Sequence, residues 1–191
     1  MDNDIDQITD TIYLGNMLCA SNKKKLKEIG IKKVLTVMND FDNHYNKYEF
    51  IHKKIDVEDS FKANIIQYFK ECLFFMDGND KVFVHCAAGM SRSPTVVIAY
   101  IMWKNKIFLN DAIKIVKNKR RLISPNENFM NQLKIFEKLL IENDYNIDNI
   151  NFKKIKINDR CFRHRTVRRS CYCCCFKGQV DSTRQSKLYY S

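Results

Sequence analysis

The stretch Lys81-Val82-Phe83-Val84-His85-Cys86-Ala87-Ala88-Gly89-Met90-Ser91-Arg92-Ser93-Pro94 passes from a short β-branched and aromatic run, through small residues, into an apolar helix-like segment ending at Trp103. It reads as strand, loop, helix. An early proline suits a helix start, where a backbone N–H lacks an intrahelical partner anyway. Backbone amides at such a junction point outward, and with the positive end of the helix dipole they form a cradle for a dianionic phosphoryl group. The amides on offer belong to Ala87, Ala88, Gly89, Met90, Ser91 and Arg92, and Gly89 lets the backbone curl around an anion without a Cβ clash. Cys86 is the candidate nucleophile, because reactive cysteines sit in electropositive loops of this kind. Arg92, six residues further on, offers two parallel N–H donors that match two equatorial phosphate oxygens, which a lysine does not. Ser93 can donate a hydroxyl hydrogen bond to the sulfur as it departs. A lone cysteine in such a turn is most simply a core residue; the H-C-x5-R-S pattern between strand and helix sets this one apart.

Outward from the loop, the pattern predicts strands at about 12–14, 33–38, 50–55 and 81–84, with helices at about 21–29, 64–76, 94–104, 109–120 and 127–142. Strands alternating with helices imply an α/β fold: a central, mostly parallel sheet of four to five strands flanked by helices. In the last helix Phe129, Leu133, Phe136 and Leu140 form one apolar stripe, read as core. Periodicity is lost over Asp144 to Asn151. The expected division is therefore a domain over 1–145 and a basic, cysteine-rich tail over 146–191 without regular structure.

At the loop the chain resembles the protein tyrosine phosphatase superfamily, and within it the dual-specificity branch. The likeness extends to Ile12-Tyr13-Leu14-Gly15, to Gly30-Ile31-Lys32-Lys33-Val34-Leu35, and to Ile123-Ser124-Pro125-Asn126 followed by Phe129 and Gln132-Leu133, covering about residues 5–142. The resemblance implies a phosphatase working through a cysteinyl-phosphate intermediate, with the protein tyrosine phosphatase fold. A leaving alkoxide or phenoxide needs a proton, and a placed carboxylic acid typically contributes about 10² to 10⁴ in rate. Asp56, Glu58 and Asp59 all precede the loop and are close to equal by spacing. The family pattern Asp-x4-Asn matches Asp59 to Asn64, so the resemblance assigns the acid to Asp59, with Glu58 as fallback. It gives His85 a supporting role, since a neighbour at a strand end faces away from Cys86. It matches Asn126 to a residue bracing the loop, although an N-cap suits that position equally. Arg121 matches a basic position bordering the family's cleft, where a solvated helix-end arginine is almost as good a reading.

Substrate class follows from what the loop lacks. Ala87, Ala88 and Met90 are uncharged, whereas polyphosphorylated lipids favour lysines there, so phosphorylated proteins are the expected partners. No segment resembles the recognition loop of the deep-pocket tyrosine-specific branch, and the small atypical dual-specificity enzymes are the nearest group. Thiolate chemistry needs no metal, so no cofactor is expected and chelators should leave activity intact.

The net charge of +11 is unevenly placed: from Lys153 onward eleven basic residues face Asp159 and Asp181, leaving only +2 for everything before. Three of eight cysteines, Cys19, Cys72 and Cys86, lie in the domain, so no disulfide framework is expected there. The opening Met1-Asp2-Asn3-Asp4 is not a signal peptide and Asp2 excludes N-myristoylation, which points to a cytoplasmic chain. In the tail, Cys161-x2-His164 and Cys171-x2-Cys174 offer two zinc-ligand pairs, but five arginines crowd that site. Acylation of Cys171, Cys173, Cys174 or Cys175 beside a polybasic patch is the stronger reading, giving peripheral membrane association. The same charge would also grip nucleic acid, which keeps a phosphatase acting on RNA 5′ ends or phosphoinositides as the alternative. A non-catalytic phosphoprotein-binding module is disfavoured by Cys86, Arg92 and Asp59 together.

Overall fold

Five strands form one sheet in the order β1-β2-β5-β3-β4, where β1 is Asp6–Gln7, β2 Ile12–Gly15, β3 Lys33–Val37, β4 Ile51–Ile55 and β5 Val82–His85. All neighbours are parallel except β1, which runs antiparallel to β2. The computed structural model describes residues 5–39, 49–155 and 157. Parallel strands need long crossovers, and the helices among the described residues cover both faces. Side chains alternate across a strand, so Tyr13, Val34 and Phe83 face one side and pack with Cys19, Ala20 and Leu26 from α1 (Met17–Ser21) and α2 (Lys23–Ile29). On the sheet's other side α4 (Arg92–Asn105) lies against β2, β3 and β5, and is buried from Arg92 to Met102. Around it pack α3 (Phe69–Met76), α5 (Leu109–Lys119) and α6 (Glu127–Glu142). The stripe of α6 is core, with Phe129, Leu133 and Phe136 fully buried and Leu140 nearly so.

Three features depart from the sequence reading. Where one helix was expected over 21–29, the segment 17–29 holds two, because Asn16 caps α1 through its Oδ1, accepting from Cys19 N at 2.9 Å, and Asn22 caps α2 in the same way from Lys25 N at 3.1 Å. Strand β1 carries no alternation signal in two residues, and so escaped the pattern. The compact unit also extends past 145 to Ile155. Lost periodicity there marked the end of helix, not of packing: 3₁₀ turns at Ile147–Asn149 and Phe152–Lys154 bury Ile147, Ile150 and Phe152. The Phe152 ring lies 6.0 Å from that of Phe136, and Asn64 Nδ2 donates to the Ile155 carbonyl at 3.4 Å. The zinc and acylation candidates of the tail lie outside the described residues. Among the described residues no helix is long and apolar enough to cross a membrane.

Candidate active site

Strand β5 ends at His85, and the chain turns through Cys86 to Ser91 before α4 begins at Arg92, which puts Pro94 third in the helix. Three carbonyls of this turn are held from outside: Met17 N donates to Ala87 O at 3.1 Å, Arg120 Nε to Gly89 O at 2.9 Å, and Ser124 N to Met90 O at 2.7 Å. In a trans peptide the C=O and the following N–H point in opposite directions. Fixing these carbonyls therefore turns the amides of Ala88, Met90 and Ser91 the other way, as an anion cradle requires. Gly89 sits at φ +66°, and a Cβ there would collide with the Gly15 carbonyl and approach Arg120 Nη2 to 2.9 Å. Only glycine satisfies both the dihedral and the space.

Cys86 is 1% exposed, and its Sγ accepts a hydrogen bond from Ser93 Oγ at 3.1 Å. Arg92 is buried as well. Its Nη1 donates to Val57 O at 3.3 Å, while its buried Nε makes no hydrogen bond and stands 3.7 Å from Asp59 Oδ2. A buried donor with no acceptor is costly, so an oxyanion within its reach would be stabilised.

Asp59 is brought to the loop by Ser91 and Asn126. Its Oδ1 accepts from Ser91 Oγ and from Asn126 Nδ2, each at 2.8 Å, and Ser91 Oγ in turn accepts from Asn126 N at 3.2 Å. The two readings of Asn126 hold together, since its Oδ1 also caps α6 by accepting from Phe129 N at 2.9 Å. The other carboxylates stay outside this cluster. Asp56 pairs with Lys54 at 3.1 Å on the surface, and Glu58 is exposed. Helix α6 also grips the segment beyond Asp59: Asn128 Nδ2 donates to Ala63 O at 2.7 Å, and Gln132 Nε2 donates to the same carbonyl at 2.8 Å. Gln132 Oε1 accepts from Ile66 N at 2.9 Å. Two buried amides four residues apart within an apolar stripe are the signal that could have marked them.

His85 does not face the sulfur. Its Nε2 meets Thr36 Oγ1 on the neighbouring β3 at 2.8 Å, and the same hydroxyl meets His52 Nε2 on β4 at 2.8 Å. The His85 ring also stacks on Phe83, with centroids 5.6 Å apart. Burial pushes its pKa down to about 3, helped by the nearby His52 and opposed by a backbone hydrogen bond at Cys86, so the imidazole is neutral near pH 7. Burial likewise lowers His52, with Lys54 adding repulsion.

Arg121 is exposed, and it is its neighbour Arg120 that reaches the loop. Helix α5 ends at Lys119 and Arg120 is extended (φ −132°, ψ 100°). Extended residues alternate in direction, so Arg120 turns inward and Arg121 outward.

Strand, loop and helix thus place Cys86, the buried Arg92 and Asp59 around one candidate phosphoester site. The model of the dual specificity phosphatase catalytic domain matches residues 12–139. The chain belongs to the dual specificity phosphatase family. It is 42% identical over 135 residues to dual specificity protein phosphatase 1-B of Xenopus laevis, covering 69% of this chain and 36% of that protein. To human dual specificity protein phosphatase 6 it is 43% identical over 139 residues, covering 70% and 36%. The chain thus spans about a third of the length of these curated relatives. Among solved structures, human tyrosine phosphatase-like serine/threonine/tyrosine-interacting protein superposes with a TM-score of 0.69 at 30% identity, over 73% of this chain and 99% of that one. The Yvh1 phosphatase domain from Chaetomium thermophilum gives 0.65 at 26% identity, over 71% and 96%.

Proposed function

We propose that the chain hydrolyses phosphotyrosine and phosphoserine or phosphothreonine in proteins through a cysteinyl-phosphate intermediate. The observation that carries the reading is the placement of Asp59 against Ser91 and Arg92 of the loop that begins at Cys86. In the first step the Cys86 sulfur attacks phosphorus, the bond from phosphorus to the substrate oxygen breaks, and Asp59 delivers its proton to that oxygen. The inward amides and Arg92 hold the three equatorial oxygens as charge spreads over them. In the second step the Asp59 carboxylate takes a proton from water, the water oxygen attacks phosphorus, and the sulfur departs toward the Ser93 hydroxyl. Inorganic phosphate leaves and Asp59 is protonated again.

Protein substrates are favoured by the uncharged rim, where exposed Ala88 and Met90 supply no cation for additional phosphates. The basic tail supports the second reading, a phosphatase for RNA 5′ ends or phosphoinositides. A direct comparison of phosphopeptides, phosphoinositides and RNA 5′-triphosphates as substrates tests the choice. Fastest turnover of phosphopeptides is expected, and faster turnover of either other class overturns it. One solved neighbour is called phosphatase-like and interacting by its own name, so fold alone does not separate enzyme from binding module. Cys86 with its Ser93 partner supports the enzyme.

We further propose that the chain is cytoplasmic, with a peripheral hold on membranes by acylation of one or more of Cys171, Cys173, Cys174 and Cys175. Several acyl chains beside a polybasic patch anchor where one does not. Fractionation of cells expressing wild type and the four-serine variant tests it, with membrane retention expected to be lost in the variant. A soluble wild type, or stoichiometric zinc in the purified protein, contradicts it.

A further inference from the structure

Arg120 is 6% exposed, on a chain whose other arginine in that turn faces solvent. One edge of its guanidinium donates through Nε to Gly89 O at 2.9 Å, and Nη1 reaches Asp6 Oδ2 at 2.5 Å. Asp6 belongs to β1, the two-residue edge strand, where it pairs with Leu14 of β2. Strand β2 ends at Gly15, whose carbonyl is the atom against which Gly89 packs. The same strand pair thus touches the phosphate loop twice, once directly and once through Arg120. A planar, always-charged fork can join a carboxylate and a peptide carbonyl in fixed geometry, which a lysine cannot do. Because Asp6 neutralises the guanidinium, and because Nε is engaged by the Gly89 carbonyl, Arg120 is suited to hold the loop rather than to bind the anion.

We propose that Arg120, braced by Asp6, is a positioning residue that holds the Gly89 carbonyl outward and so keeps the Met90 amide aimed at the phosphoryl group. The short N-terminal strand is thereby part of the catalytic apparatus. This rests on the reading of the loop as a phosphate site.

The charge and the brace predict opposite effects of one substitution. Asp6→Asn leaves the neighbourhood of the cradle more positive, so a purely electrostatic Arg120 would make phosphate bind more tightly; loss of the brace makes it bind more weakly. Orthophosphate affinity of the full chain is read as protection of Cys86 from iodoacetamide, located by peptide mass, alongside kcat and KM for an aryl phosphate. The brace predicts about threefold weaker binding in Asp6→Asn and about tenfold weaker binding in Arg120→Met, the loss of one charge-assisted hydrogen bond. Arg120→Lys, which keeps charge without the fork, should not rescue Arg120→Met, and KM should rise in all three. Lys104→Ala, which breaks the surface pair of Lys104 with Asp77, controls for general loss of stability, and Asp6→Asn keeps the shape of the side chain if Arg120→Met fails to fold. Tighter phosphate binding in Asp6→Asn, rescue by lysine, or variants equal to wild type overturn the proposal while leaving the phosphatase reading standing. A wild type that neither binds orthophosphate nor turns over phosphoesters removes both.

Discussion

Substituting His85 by Gln should flatten the acid limb of the stability curve. In the folded chain His85 titrates at about 3 against 6.5 when free, because burial, helped by the nearby His52, favours the neutral ring and outweighs a backbone hydrogen bond at Cys86. Between those two values the unfolded chain binds a proton that the folded chain refuses. Stability from this group is therefore complete above pH 6.5 and falls as pH drops toward 3. From about pH 7.5 to about pH 5 the loss is about 2 kcal/mol, and it hardly depends on where below 4 the folded value lies. Gln keeps a donor within reach of Thr36 but does not titrate. Urea unfolding of wild type and His85→Gln across this range gives the difference between two curves, in which carboxylates and other shared groups cancel and any constant packing cost drops out. The wild type should lose about 2 kcal/mol more than the variant. Parallel curves would refute the assignment of a neutral, buried His85.

Asp59→Asn should slow alkyl phosphates by about 10² to 10⁴ and aryl phosphates, which leave readily, much less. A variant that spares alkyl phosphates while Glu58→Gln cripples them moves the acid to Glu58. Ser93→Ala removes the hydroxyl that donates to Cys86 Sγ, so departure of the sulfur should slow by about tenfold to a hundredfold. A stopped-flow burst of leaving group should then precede a slower steady state, and the absence of any change in burst or steady rate contradicts this role.

What the sequence disclosed was what is local. Strand, loop and helix around Cys86 were legible because β-branched residues, small residues and an apolar helix follow one another without a gap, and the α6 stripe because its spacing is regular. Asp59 was not separable from Asp56 and Glu58 by spacing, since its distinction comes from Ser91 and Asn126, distant in sequence. Arg121 was matched by resemblance alone, and no sequence signal singled out Arg120, whose direction depends on one residue at a helix end. A helix read to 120 gives the two arginines helical directions, whereas ending at Lys119 leaves Arg120 extended and pointing in. Strand β1 is defined by its pairing with β2 and by the reach of Asp6 to Arg120, neither of which two residues can announce.

Turnover by this site passes through a covalent bond between phosphorus and the Cys86 sulfur. Mixing the full chain carrying Asp59→Asn with an aryl phosphate, stopping the reaction by denaturation within the first turnovers and measuring peptide masses tests it directly, because loss of the base slows breakdown of the intermediate. One phosphoryl group is expected on the peptide containing Cys86, absent when Cys86→Ser is added, together with loss of phosphate release from Cys86→Ser alone. Phosphate release from Cys86→Ser at the wild-type rate would contradict it.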